Sequence, residues 1–218
     1  MSSAVIQLLV LAGIAVFLIL RLKDVLGTRD GFEKPPVSTK VAGRKRSDFE
    51  VIEGGPDRDI TDHAEEGSES AKALASMKGA EPSFSVSEFL DGARGAYEMI
   101  LMAFEKGELE QIQPFLSKDV YETFSDVVEA RKKEGISIEA NFVGVRELTL
   151  SDASFDEKSR VGEVTVKFVG ELTSVVRDKD GEVLEGNPNE IKRQKDIWTF
   201  GRAMAADNPN WQLVATGE

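Results

Sequence analysis

The sequence predicts an α+β fold behind a transmembrane helix, and three observations carry that expectation. Residues 4 to 20 are apolar except for Gln7 and Gly13. From about residue 85 to Gly135, apolar residues recur at intervals of three and four. Beyond Gly135 the period changes to two. Helices first and a strand meander second give helices packed on a curved four-stranded antiparallel sheet, whose concave apolar face they close.

The first element is the apolar run. Seventeen residues, Ala4 to Leu20, make a helix about 26 Å long. Leu22, Val25 and Leu26 extend it, while Arg21 and Lys23 reach back to the headgroups. "MSSAVIQ" carries no basic residue and no small-residue cleavage pattern follows, so an uncleaved anchor is expected rather than a secretion signal. The anchor rests on Ala4, Leu8, Leu11, Phe17, Leu20, Arg21 and Lys23. No Lys or Arg precedes it, and eight follow between Arg21 and Arg46. That asymmetry directs the C-terminal bulk to the cytoplasm. The same basic stretch is also suited to anionic lipid.

Residues 1–26 are thus read as the anchor, 27–81 as a flexible charged linker and 82–218 as the folded domain. The linker reading rests on Gly, Pro, Ser and acidic residues without a sustained period, and on ten acids against three bases over residues 47–81. Within it "SAKALASMKG" sets Leu74 and Met77 on one side of a short helix, a thin apolar stripe. His63 is expected to be solvated in the same segment.

In "PSFSVSEFLDGARGAYEMILMAFEKG", Phe89, Ala93, Tyr97, Ile100, Leu101 and Phe104 share a helical face, and Gly107 stops the helix. The two glycines of "GARGAY" read as room for close helix packing. "ELEQIQPFL" is a short helix bent at Pro114. Ser117 caps a third helix, in which Val120, Phe124, Val127, Val128 and Arg131 share a face and which ends at Gly135. "SIEANFVGVRELTL" and "VGEVTVKFVGELTSVV" then alternate as long strands, the second with Val164, Val166, Phe168 and Leu172 on its apolar side and Gly170 permitting a bend. "RDKDGEV" turns into the strand "IKRQKDIWTFGRAMA", and "DNPN" turns into "WQLVAT".

Composition narrows the chemistry. A net charge of −12 opposes phosphate backbones and argues against nucleic acid as a partner. Zero cysteines and one histidine exclude disulfides, thiolate chemistry and multi-histidine metal sites, and no cofactor is expected. No phosphate loop, nucleophile elbow or dinucleotide turn is present in the sequence. Glu98 and Asp126 lie beside apolar stripes without a partner that would set their protonation, so no catalytic residue is assigned and enzyme activity is not expected. Phe89, Tyr97, Phe104, Phe142, Phe168 and Trp198 are the candidates for a groove that accepts a partner's apolar segment, with Tyr97 and Trp198 favoured because their polar ends seek hydrogen bonds.

The stretches "PFLSKDVYETFSDVV", "DGEVLEGNP", "DIWTF" and "NWQLVAT" together resemble the bacterial TimA family, related to subunit forty-four of the mitochondrial inner-membrane protein translocase. The resemblance covers about residues 74 to 218 and the anchor. It implies a cone-like domain similar to nuclear transport factor two. The mitochondrial relatives recruit an import-motor chaperone to the translocation channel on the matrix side. This chain departs from them in its anchor and in a short linker without their long chaperone-binding region.

The expected function is therefore a single-pass adaptor or scaffold of the bacterial inner membrane, with its domain in the cytoplasm. It would recruit protein partners from the translocation or membrane-protein assembly machinery, a chaperone among the candidates. The alternative is a cone that binds a small apolar ligand or lipid.

Overall fold

The computed structural model describes residues 56–217. The expected anchor and the first half of the expected linker lie outside them. Among the described residues no helix is long and apolar enough to cross a membrane.

Among the described residues the folded part begins well before Pro82, which corrects the last part of the linker expected over residues 27–81, from Arg58 on. Helix α1, Arg58–Thr61, and helix α2, Glu69–Ala80, precede the long helix α3, Val86–Lys106. The thin stripe on α2 is enough because it lies wholly inside: Leu74 and Met77 have no exposed surface. The Ser68 side chain caps α2 by accepting from Ala71 N. α1 is held by charge. The Asp59 carboxylate accepts from Val86 N at 2.7 Å and Ser87 N at 2.9 Å, so it caps the start of α3 from a distant part of the chain. Lys78 of α2 reaches Asp57 at 2.6 Å and Asp59 at 2.8 Å. Burial by itself raises the pKa of Asp59. The Lys78 ammonium, Ser87 and Val86 N–H overcome that and hold the carboxyl well below the usual carboxylate range. His63, expected to be solvated, sits 3.2 Å from the Ser87 hydroxyl. Composition misled here because acidic residues that looked like solvated linker are helix caps and ion-pair partners.

α3 follows its sequence pattern, with Ser85 as N-cap and Gly107 in the left-handed region at φ 71°. A 3-10 helix, Leu109–Phe115, contains Pro114 and buries Leu109 and Ile112. Helix α4, Lys118–Glu134, is capped by Ser117 and ended by Gly135 at φ 72°.

Five strands complete the domain, one more than expected. They are β1, Ser137–Asp156; β2, Val161–Arg177; β3, Val183–Gly186; β4, Lys192–Ala203; and β5, Gln212–Gly217. The order is β1-β2-β4-β5, with every neighbouring pair antiparallel, and β3 pairs with β2 beyond the start of β4. β3 and β4 therefore read as one strand interrupted by residues 187–191, where Asn187, Pro188 and Asn189 break the alternation. The register of β1 slips against β2 three times, near Val143, Arg146 and Ser151, and such bulges bend a strand.

Gly170, expected to permit a bend in β2, makes room for a side chain. A Cβ there would lie 2.6 Å from the Tyr97 hydroxyl and 2.9 Å from its ring. Glycine lets the sheet pass close to a large side chain that α3 drives into the core. Tyr97 stacks on Phe168 at 4.4 Å and 8° and meets the Trp198 ring at 4.8 Å.

Candidate functional site

The sequence-selected aromatics do not form one groove. Tyr97 and Phe168 are fully buried, Trp198 and Phe89 nearly so, and Phe142 packs half-buried against the edge of Tyr97 at 6.1 Å. These rings are core. Phe104 belongs elsewhere: it packs on Phe124 at 4.5 Å, and the Arg131 guanidinium lies 4.4 Å above its ring. Of the six, only Phe89 borders the cleft described below.

The polar end of Tyr97 does find a partner, and it is internal. Its hydroxyl donates to Asp196 Oδ2 at 2.5 Å, while Gln194 Nε2 donates to Oδ1 at 3.0 Å. Burial, then the Asp196 carboxylate, push the Tyr97 phenol well above its ordinary pKa. Asp196 is the one buried charged residue among the described residues. An acid and a phenol that converge in an aromatic interior are the groups a catalytic cone would need. Here they are spent on each other in a packed core, and neither borders the cleft. Sequence reasoning missed Asp196. The available signal was an acid on the apolar side of a strand, at the same parity as Trp198 and Phe200.

The cleft has a volume of about 350 Å³. It opens between the first half of α3, the turn before it and the chain entering β5. Phe84, Phe89, Phe115, Phe200 and Trp211 give it aromatic walls. Phe89 meets Trp211 at 4.7 Å and Phe200 at 6.0 Å, both edge to face. On the α3 side, Gly92, Ala93 and Ala96 leave the space between the rings open.

One end is fixed by Arg202. Its guanidinium lies 5.1 Å from the Trp211 ring, donates to Glu81 Oε1 at 2.8 Å and to the Pro209 carbonyl at 3.2 Å. Glu81 Oε2 accepts from Ala205 N at 2.7 Å. Burial raises the Glu81 pKa, and the Ala205 N–H and Arg202 more than reverse it, so the group stays charged. Ala205 holds φ 57° and Arg160 φ 58°, a conformation that costs a residue with a Cβ about 1 kcal/mol or more. Both are tied to the end of α2, because Arg160 donates to the Ala80 carbonyl at 2.9 Å. The links from Glu81 to Arg202 and Ala205 span 121 and 124 residues and that from Arg160 to Ala80 spans 80, so no local pattern could reveal this corner.

Chemically the cleft is suited to recognition. Its carboxylates are Glu81, already paired, and Glu88, exposed on the rim; its hydroxyls are Ser83 and Ser85, and the Ser85 hydroxyl donates to Asp59 at 3.1 Å. The Ser83 hydroxyl lies 3.5 Å from Glu81 Oε1. A large apolar or aromatic side chain fits the walls.

Residues 70–218 match the family described as "Tim44-like domain". The chain is 24% identical over 149 residues to the human mitochondrial import inner membrane translocase subunit TIM44, covering 67% of this chain and 32% of that protein. It is 23% identical over 151 residues to the Arabidopsis thaliana subunit TIM44-1, covering 66% and 31%. The probable Caenorhabditis elegans subunit tin-44 is 27% identical over 118 residues, 53% and 27%. The chain thus spans about a third of the length of these curated relatives. Among solved structures, the intermembrane space region of the chloroplast protein ARC6 aligns over 66% of this chain and 94% of that one, at 9% identity and a TM-score of 0.36.

Proposed function

Because this chain belongs to the family of Tim44-like domains, we propose that it is an adaptor that recruits partner proteins to a membrane in protein translocation or membrane-protein assembly. The observation that supports this reading is the cleft: an aromatic recognition surface on a domain whose named relatives are translocase subunits. The finer reading is a bacterial TimA-type protein. Residues 4–20 anchor it in the inner membrane, and the eight basic residues after them keep the domain on the cytoplasmic face. It acts by binding and not by catalysis.

The domain offers a partner a pre-formed seat, since the Arg202–Glu81 corner fixes Trp211 before anything arrives. Gly92 gives a direct way to close that seat. A Cβ there meets nothing within 4 Å, so Gly92→Leu fills the cleft from a helix that gains from the change.

The test places a photo-crosslinking residue at Ser83 or Asn210 on the cleft rim and irradiates intact cells. Adducts with a translocation or assembly component that vanish in Gly92→Leu support the reading. The same adducts with the cleft filled would refute the cleft as the seat, and absence of any protein adduct would refute the adaptor. The aromatic walls also favour a second reading, a small apolar ligand or lipid in the cleft. Native mass spectrometry of the full chain, showing a bound small molecule lost in Gly92→Leu, would select it.

A further inference from the structure

α3 carries a second pattern beside its buried one. Glu88, Gly92, Gly95, Met99, Met102 and Lys106 follow one another at intervals of four and three, the spacing that keeps residues on one line when two helices run side by side. The line is open. Gly92, Gly95 and Met99 are exposed and Met102 is half-buried. A Cβ at Gly92 or at Gly95 would meet nothing within 4 Å among the described residues.

Those glycines are unexplained by the fold. Each costs about 1 kcal/mol against alanine in a helix interior. Neither has a positive φ and neither admits a neighbour. The close packing that "GARGAY" suggested is therefore absent within the domain. Gly92 keeps the cleft open on one side, and the two glycines together leave room for another backbone to come near.

The two flanks of the line differ. One carries Phe89, Ala93 and Ala96, which lead into the aromatic cleft. The other carries Asp91 and Glu98, both exposed, with the exposed Arg94 beside them, whose guanidinium is turned to the Val145 carbonyl at 3.2 Å. A second copy packed antiparallel would set Gly95 against Met99, Gly92 against Met102 and Glu88 against Lys106. It would also bring Glu98 against its own copy, between chains of net charge −12. Like charges at such flanking positions oppose pairing.

The geometry points to a helix of a different protein as the occupant, lying along the Gly92–Met99 face. Bulky apolar residues at four-and-three spacing fill the space over the glycines, one of them entering the cleft, and lysine or arginine on one flank faces Asp91 and Glu98. The inference rests on the adaptor reading and names the chemistry of the partner.

The test uses the full chain in nanodiscs of zwitterionic lipid, so that bilayer charge does not capture the probe. The probes are two synthetic helices about as long as α3, with leucine at four-and-three spacing and either lysine or glutamate on one flank. Fluorescence anisotropy is expected to show binding of the lysine probe, weakened about tenfold or more by Gly95→Leu, a variant that melts no lower than the parent. Asp91→Lys with Glu98→Lys should reverse the preference to the glutamate probe. Equal binding of both probes to the parent, or an unchanged affinity in Gly95→Leu, overturns the proposal. A reversible dimer abolished by Met99→Glu in sedimentation also overturns it, in favour of a second copy. Rim adducts in cells that survive Gly95→Leu but are lost in Gly92→Leu would sink this inference while leaving the adaptor reading intact.

Discussion

Replacing Gly170 by alanine tests the packing of the interior. The added Cβ lies 2.6 Å from the Tyr97 hydroxyl and 3.1 Å from the carbon that bears it, well inside contact distance. Tyr97 cannot retreat without leaving its stack on Phe168 and its bond to Asp196. Overpacking costs about 1–3 kcal/mol, and losing part of a hydrogen bond to a buried carboxylate about 1.5–3 kcal/mol more. The entropy gained by removing a strand glycine returns about 0.5–1 kcal/mol. The net expectation is about 2–4 kcal/mol, or a fall in Tm on the order of 10 °C for a domain of this size. Urea and thermal unfolding followed by tryptophan fluorescence of residues 56–218 would measure it. Tyr97→Phe is itself destabilising, because it strips Asp196 of a donor, yet it removes the atom that the Cβ strikes. Gly170→Ala should therefore cost at least about 1 kcal/mol less in the Tyr97→Phe background. A loss below about 0.5 kcal/mol, or simple additivity of the two changes, would refute this account of the core.

Asp59→Asn should destabilise the domain by about 1–3 kcal/mol at neutral pH, because the α3 cap and the Lys78 pair are both weakened. The depressed pKa means that the stabilisation is fully present above the unfolded aspartate value of about 3.9 and is lost as pH falls below it towards the folded value; urea melts should show the gap between parent and variant narrow between about pH 4 and pH 2. A protein starting at Pro82 should be aggregated or poorly cooperative where one starting at residue 56 folds, since Leu74 and Met77 alone bury about 1.5–3 kcal/mol each; calorimetry of the two separates them. Leu74→Ala should cost about 2–5 kcal/mol in denaturant melts. Gly92→Ala should raise stability by about 1 kcal/mol, since its Cβ enters open space; a destabilised variant would mean that the face is covered within the domain.

By itself the sequence determined what depends on near neighbours along the chain. Ser85 and Ser117 before apolar runs, Gly107 and Gly135 after them, and the change of period at Gly135 marked α3, α4 and the long strands, because caps and periodicity act over one or two turns. Only the tertiary structure decided that Asp59 and Lys78 belong to the domain and that Gly170 makes room for Tyr97. It likewise decided that Asp196 receives the Tyr97 hydroxyl, and that Arg202, Glu81 and Trp211 build the corner of the cleft. Each of these joins residues far apart in the chain, and the worth of a charge or a glycine depends on what is brought against it. The acids before Pro82 looked solvated, and the aromatics looked available, until packing assigned them partners. The glycines of α3 invert the case: their cost is legible in the sequence, while the empty space beside them is visible only once the fold has closed around the other face of the helix.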